Sequence, residues 1–371
     1  MKKLGFGLMR LPLIDPEDHS SVDMPQFCKM VDLFLKRGFT YFDTAYMYHD
    51  GVSESVAKEA LVDRHARDSF TLTTKLPTFF LKKQGDQERI FEEQIRRCGV
   101  EYFDYYLLHN LGEENYKIAQ KFKSFQYVSR LKEQGLVRRI GFSFHDKAPV
   151  LDRILTEHPE IEFVQLQINY LDWNDEGVQS RLCYETAVRH GKKVIIMEPV
   201  KGGRLANVPD EVKKILTDKH ADWSPASWAI RFAASLPEAV VVLSGMSDMA
   251  QLEENTSFMR DFKSLEQDEL DILRRAEAML RANISIPCTN CRYCTEGCPQ
   301  NIPIPEYFAI YNEKLKTESK EETLKTALRS LTDKGYGKPK DCIGCKQCER
   351  ACPQHLAITE YLKKVGKSLF D

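Results

Sequence analysis

YFDYYLLH (102–109), SFQYVSRLKEQG (124–135) and RRIGFSF (138–144) decide the fold of this chain. The first and third are short, mostly apolar and rich in aromatic residues, as strands buried on both faces are. The second repeats apolar residues at helical spacing and closes on Gly135, and glycine ends helices because it accepts a left-handed cap. Strand, helix and strand in this order form a parallel crossover unit. The alternation runs outward from Lys3 to about Phe258. Further strand-like runs are LGFGLM (4–9), FTYFDTA (39–45), FTLTTKL (70–76), FVQLQIN (163–169), KKVIIMEPV (192–200) and AVVVLSG (239–245), eight in all with the two above. Helix signals such as MPQFCKMVDLFLKRG (24–38) and QERIFEEQIRRCG (87–99) lie between them. Eight strand–helix units in about 250 residues predict an α/β fold, a (β/α)8 TIM barrel. The barrel is expected over residues 1–262.

The chain has 371 residues, enough for such a barrel and an appendage. With 42% hydrophobic and 29% charged residues it reads as an ordinary soluble globule. A formal net charge of −2 gives no strong pull on nucleic acid or membrane, so neither is expected as a partner. No apolar run of about 18 residues predicts a membrane span. The opening MKKLGFGLMRLP lacks the apolar core of a secretory signal.

Beyond the barrel, Leu265 to Asn283 reads as a charged amphipathic helix, the core of a connecting segment over 263–286. From 287 to 371 the composition turns to Cys, Pro and Lys. Cys288, Cys291, Cys294 and Cys298-Pro299 form one run, and Cys342, Cys345, Cys348 and Cys352-Pro353 repeat its spacing. This is the spacing with which bacterial ferredoxins hold [4Fe–4S] cubes, so two clusters are expected. The fourth cysteine of each run ligates the other cluster in two-cluster ferredoxins. Ligation is therefore expected crosswise: Cys288, Cys291, Cys294 and Cys352 around one cube, and Cys342, Cys345, Cys348 and Cys298 around the other. A disulfide scaffold belongs to small secreted domains, and zinc takes paired cysteines. Helical patterns at 305–316 and 320–331 fill the space between the runs, resembling the helical two-cluster ferredoxin domains of multi-subunit reductases. Cys28, Cys98 and Cys183 read as small buried hydrophobes. Thiols kept for iron suit a reducing compartment, and cytoplasm is expected.

Barrel active sites sit at the C-terminal ends of the strands. The second run ends in Asp43-Thr44-Ala45, with Tyr48 on the loop after it; the third ends in Lys75 and the fourth in His109. The strings FDTAYMY, TTKLP and LLHN, with IGFSFH, VQLQINY and EENTSF, resemble the aldo-keto reductases over residues 3 to 260. Together with the cysteine runs, the chain resembles the iron–sulfur branch of that superfamily. The resemblance implies that Tyr48 donates a proton to a carbonyl, that Lys75 lowers the pKa of Tyr48, that Asp43 holds Lys75, and that His109 orients the substrate. It implies a nicotinamide cofactor, NADP or NAD. Ser143 and Gln165 would bond the carboxamide, Met9 and Arg10 border the cofactor, and Glu254 and Asn255 meet the adenine end. Lys201, Gly202 and Gly203, with Ser244 and Gly245, fall at the usual barrel phosphate site. Met197, Gly245 and Gln251 stand where many members place an aromatic ring and cationic clamps for the 2′-phosphate, which leaves NADH use open. FMN in the phosphate site is the lesser alternative.

The expected function is an oxidoreductase that reduces a small carbonyl, or oxidises an alcohol, with two clusters for electron transfer to a redox partner protein. Two rivals stand beside it: a silent barrel serving as an electron-transfer or docking subunit, and an active enzyme whose clusters are structural or oxygen-sensing.

Overall fold

A computed structural model describes residues 2–283, 285–315 and 321–370. Lys316 and Lys320, which end two of the expected helical stretches, lie outside the described residues. Eight parallel strands close a barrel in sequence order: β1 (Leu4–Gly7), β2 (Tyr41–Asp43), β3 (Thr71–Leu76), β4 (Phe103–Leu111), β5 (Val137–Phe144), β6 (Phe163–Gln167), β7 (Lys193–Met197) and β8 (Ala239–Ser244). β8 pairs with β1, so no edge is left open.

Each strand follows its predicted run, but several are shorter at the rim. The run at 39–45 keeps only Tyr41–Asp43 as strand, because Lys75 takes the Thr44 carbonyl and the chain turns away. The barrel interior is filled by Tyr41, Leu107, Phe163, Ile195, Val241 and Leu243. Tyr105 bridges Tyr41 and Phe163, with ring centroids at 5.3 and 5.1 Å. Gly141 has no side chain because a Cβ there would meet the Phe163 ring and carbonyl at 2.6 Å. The outward faces of the strands pack against the helices; Phe6 on β1 meets Phe27 and Phe34 of the helix Met24–Lys36.

The connecting helix is Gln267–Asn283 and lies against the barrel through Leu273, Ala276 and Leu280. After it a second core forms around Ile286, Ile302, Ile304, Tyr307, Phe308 and Leu362. It is built by helices Ile304–Lys314, Glu321–Asp333 and Ile358–Phe370. A short helix, Gln347–Ala351, runs inside the second cysteine motif and carries Cys348. Cys98 and Cys183 are buried, and Cys28 is half-buried against the barrel core. Among the described residues no helix is long and apolar enough to cross a membrane.

Candidate active site and cluster sites

A cavity of about 540 Å³ opens at the C-terminal ends of the strands. Its wall includes Asp43, Tyr48 and His109, contributed by β2, the loop after it and β4. Lys75 on β3 is fully buried behind them. Its Nζ donates to Asp43 Oδ1 at 2.5 Å, to the Thr44 carbonyl at 2.8 Å and to Tyr48 Oη at 3.2 Å. Gln165 Nε2 donates to the other Asp43 oxygen at 3.0 Å. The four residues expected at successive strand ends thus meet in one place. Burial pushes the Asp43 carboxyl up and the Lys75 ammonium down, and their mutual attraction opposes both.

Tyr48 departs from expectation in one respect. Burial raises its phenol well above the ordinary value, Asp43 and Glu198 add to the rise, and a hydrogen bond with Tyr293 opposes it. The Lys75 ammonium that reaches the phenol oxygen at 3.2 Å is itself paired with Asp43 at 2.5 Å. The group is therefore a protonated phenol at neutral pH, the form a proton donor needs. His109 is pushed well below its ordinary value by burial and then by Lys75 and His145, so its imidazole is neutral. Its Nδ1 has no protein partner. A neutral imidazole can donate or accept one hydrogen bond without introducing charge.

The same cavity is lined by Met9, Arg10, Ser143, Gln165, Gly202, Gly203, Ser244, Gly245, Glu254 and Asn255. Lys201 is the exception. It is 2% exposed and does not line the cavity. Its Nζ meets Asp172 Oδ1 at 2.5 Å and Gln354 Oε1 at 3.0 Å. The lysine read as a phosphate ligand is instead a buried ion pair reaching the C-terminal domain. Gly202 is similar in part: a Cβ there would lie 2.4 Å from the Thr289 carbonyl, at a φ of +63°. The glycine admits a close approach of two backbones.

That approach reveals what the sequence did not. The C-terminal domain covers the barrel mouth, and Thr289, Cys291, Tyr293, Pro353 and Gln354 form part of the cavity wall. Arg10 Nη2 donates to the Thr289 carbonyl at 3.2 Å, and Arg204 Nη1 to the Ile286 carbonyl at 3.2 Å. Gln354 and Gln167 exchange hydrogen bonds at 2.9 and 3.1 Å. Glu198, also on the wall, was missed too. It follows β7 with a left-handed φ of 58°, and one carboxylate oxygen has no partner. A non-glycine residue in that conformation is uncommon and marks a place worth attention. His145 joins the wall, with its imidazole pushed down to about 3 by burial. Tyr170 packs near Phe232, and Asp146 accepts from the backbone N–H of Glu113. Arg138 and Arg139 pair with Asp104 and Glu162 at the strand entry.

Two small spaces lie inside the C-terminal domain. One is bordered by Cys288, Cys291, Cys294 and Cys352, the other by Cys298, Cys342, Cys345 and Cys348. Three thiols of one run and the last thiol of the other surround each space. Among the described residues no three His, Cys, Asp or Glu side chains converge on a single ion position. Cube ligands differ from the ligands of one ion, since each thiolate meets its own iron at a separate corner.

The sequence profile of the aldo/keto reductase family matches residues 3–278. The chain belongs to that family, and it is an oxidoreductase. A second profile, a 4Fe-4S dicluster domain, matches residues 287–357, so the barrel carries an iron–sulfur domain at its C-terminal end. The chain is similar to the 9,11-endoperoxide prostaglandin H2 reductase of Trypanosoma cruzi (strain CL Brener), 25% identical over 268 residues, spanning 67% of this chain and 87% of the relative. It is also similar to the glyoxal reductase of Bacillus subtilis (strain 168), 23% identical over 277 residues, spanning 70% and 92%. Among solved structures, aldo-keto reductase AKR11C1 from Bacillus halodurans (holo form) shares the fold with a TM-score of 0.57 at 22% identity, over 74% of this chain and 91% of that one. An aldo-keto reductase from Klebsiella pneumoniae, solved in complex with NADPH, gives 0.56 at 21% identity, over 74% and 90%.

Proposed function

We propose that the protein is a nicotinamide-dependent reductase of small carbonyl compounds, or a dehydrogenase of the matching alcohols. The observation that carries the reading is the Lys75 ammonium, which bonds both Asp43 and Tyr48 on the wall of one cavity. NADP or NAD would supply or accept the hydride. Ser143 and Gln165 are set to hold the carboxamide, with Ser244, Gly245, Glu254 and Asn255 along the rest of the dinucleotide. The substrate oxygen faces Tyr48 and His109. Tyr48 passes its proton to that oxygen, and Lys75 stabilises the phenolate left behind. Asp43 keeps Lys75 charged and in place. The iron–sulfur domain over the mouth limits water access to this chemistry.

The eight motif cysteines hold two [4Fe–4S] clusters in the crosswise sets that surround the two spaces. Such clusters supply one-electron exchange, with a redox partner protein as the outside source or sink. Iron-ligating thiols suit the cytoplasm. A specific observation favours a second reading of the clusters. Cys294, Cys348 and Cys352 are part of the domain's own apolar core, so the clusters would also hold the cover together. Titration of the anaerobically purified protein with NADH and NADPH separates the readings. Bleaching of the cluster absorbance supports electron exchange. Turnover without bleaching supports a structural role, and absence of nucleotide binding refutes the proposed reductase.

A further inference from the structure

Glu198 directly follows β7 and borders the reaction cavity together with Tyr48 and His109. Its backbone is left-handed, with a φ of 58°, although it stands before Pro199, where extended backbone is the norm. Two hydrogen bonds to its carbonyl hold that conformation, one from Asn169 Nδ2 at 3.2 Å and one from the Lys201 backbone N–H at 3.0 Å. One carboxylate oxygen is buried with no hydrogen-bond partner. Burial pushes the carboxyl up, and Arg10 and Lys201 oppose the rise. Both cations are engaged elsewhere: Arg10 Nη2 donates to the Thr289 carbonyl at 3.2 Å, and Lys201 Nζ meets Asp172 Oδ1 at 2.5 Å.

We propose that Glu198 is a binding residue for a hydroxyl group of the molecule in the cavity, accepting its hydrogen bond through the carboxyl. The inference deepens the proposed reductase and rests on that reading. A buried carboxyl oxygen left without a donor is costly, and a bound donor removes the cost. Ionised or protonated, the carboxyl keeps an oxygen that accepts. A phosphate or carboxylate at this place would bring like charge and no donor. An ammonium would meet the Arg10 charge on the same wall. A hydroxyl brings a donor without charge, and the neutral Asn207, Ser224 and Gln251 border the same space. Two sources carry such a group: a carbon beside the substrate carbonyl, and the ribose of the nicotinamide nucleotide. From the first, the site selects hydroxycarbonyl compounds over their deoxy analogues. From the second, Glu198 anchors NADH and NADPH alike, through the ribose they share.

The test uses the full-length, anaerobically purified protein, NADH and NADPH, and the probe pair D-glyceraldehyde and propanal, which differ in their hydroxyls. Glu198→Ala removes the acceptor, and Glu198→Gln keeps a neutral one. A substrate hydroxyl predicts that the kcat/KM ratio of glyceraldehyde to propanal falls roughly tenfold in Glu198→Ala, through KM, because the bond is made in the ground state and the transition state alike. A ribose hydroxyl predicts an unchanged ratio and roughly tenfold weaker binding of both nucleotides. Glu198→Gln should lose roughly threefold in the same quantity, since a neutral hydrogen bond is about half as strong as a charged one. That variant decides the matter alone if Glu198→Ala fails to hold its clusters. Ratio and nucleotide affinities all at wild-type values overturn the proposal. An equal loss with both aldehydes at unchanged nucleotide affinity also overturns it, since lost packing would act in that way. A wild type that neither binds nucleotide nor reduces either aldehyde overturns the reductase reading and the Glu198 assignment with it; failure of the Glu198 test alone leaves the wild type active.

Discussion

Replacing Lys201 with Met separates two roles that its position after β7 permits. The Lys201–Asp172 pair is 2.5 Å long, with side chains only 3% and 4% exposed. Methionine fills the stem volume but leaves the Asp172 carboxylate buried without its cation. Breaking a buried pair from one side costs about 3–5 kcal/mol. Asp172 keeps hydrogen bonds from Gln167 Nε2 at 2.9 Å and Asn169 Nδ2 at 2.8 Å, which places the loss near the lower end. Gln354 loses a donor at 3.0 Å, which adds about 1 kcal/mol. The expected total is about 3–4 kcal/mol, read by urea denaturation of the anaerobic protein. A Lys201→Met, Asp172→Asn double variant should recover more than half of it, because the stranded charge is gone. Nucleotide affinity should stay within about twofold in both. A stability loss below about 1 kcal/mol, or a loss of dinucleotide affinity of about tenfold or more at unchanged stability, would show that Lys201 serves an anion after all.

The crosswise thiol sets predict that Cys352→Ser disturbs the cluster whose other ligands are Cys288, Cys291 and Cys294, and that Cys298→Ser disturbs the other. Electron paramagnetic resonance of the reduced variants checks this, and loss of the cluster within the mutated run itself would contradict it. Gly245 and Gln251 carry no charge where a 2′-phosphate clamp would stand, so NADH and NADPH affinities should differ by less than about 100-fold, or about 2.7 kcal/mol. Calorimetric titration decides it, and a much larger NADPH preference would point to Arg10 as the clamp. Burial depresses the His109 and His145 imidazoles, so the folded state resists protons that the unfolded chain accepts. Their stabilisation is present above about pH 6.5 and is lost as pH falls below it, by about 1.4 kcal/mol per pH unit for each histidine. Denaturation midpoints at graded pH should show this acid limb; a flat profile between about pH 6.5 and 5 would refute it.

The barrel was legible because each strand is a compact apolar run set off by a helix with its own stop signal, as at Gly38, Gly99 and Gly135. Periodicity alone carries that much. The ring of Asp43, Tyr48, Lys75 and His109 was legible because strand ends in a closed barrel converge on one rim. What remained hidden depends on contacts across long separations. Gln354 meets Gln167 over 187 positions and Lys201 over 153. No local pattern announces that a cysteine-rich domain will lie over the barrel mouth. Gly202 looked like a phosphate turn until Thr289 was found against it. The one available signal was Glu198, a carboxylate directly after an apolar strand at the active rim, where burial without purpose is costly.

The most direct measurement is the rate of NAD(P)H oxidation by anaerobically purified wild-type protein and by Tyr48→Phe, with a panel of small aldehydes and dicarbonyls. Nucleotide affinity is measured on both proteins. The account predicts turnover by the wild type, a fall of about 10²–10⁴ in kcat for the variant, and nearly equal nucleotide binding. Equal rates in the two proteins, or nucleotide binding without turnover of any carbonyl by the wild type, would contradict it.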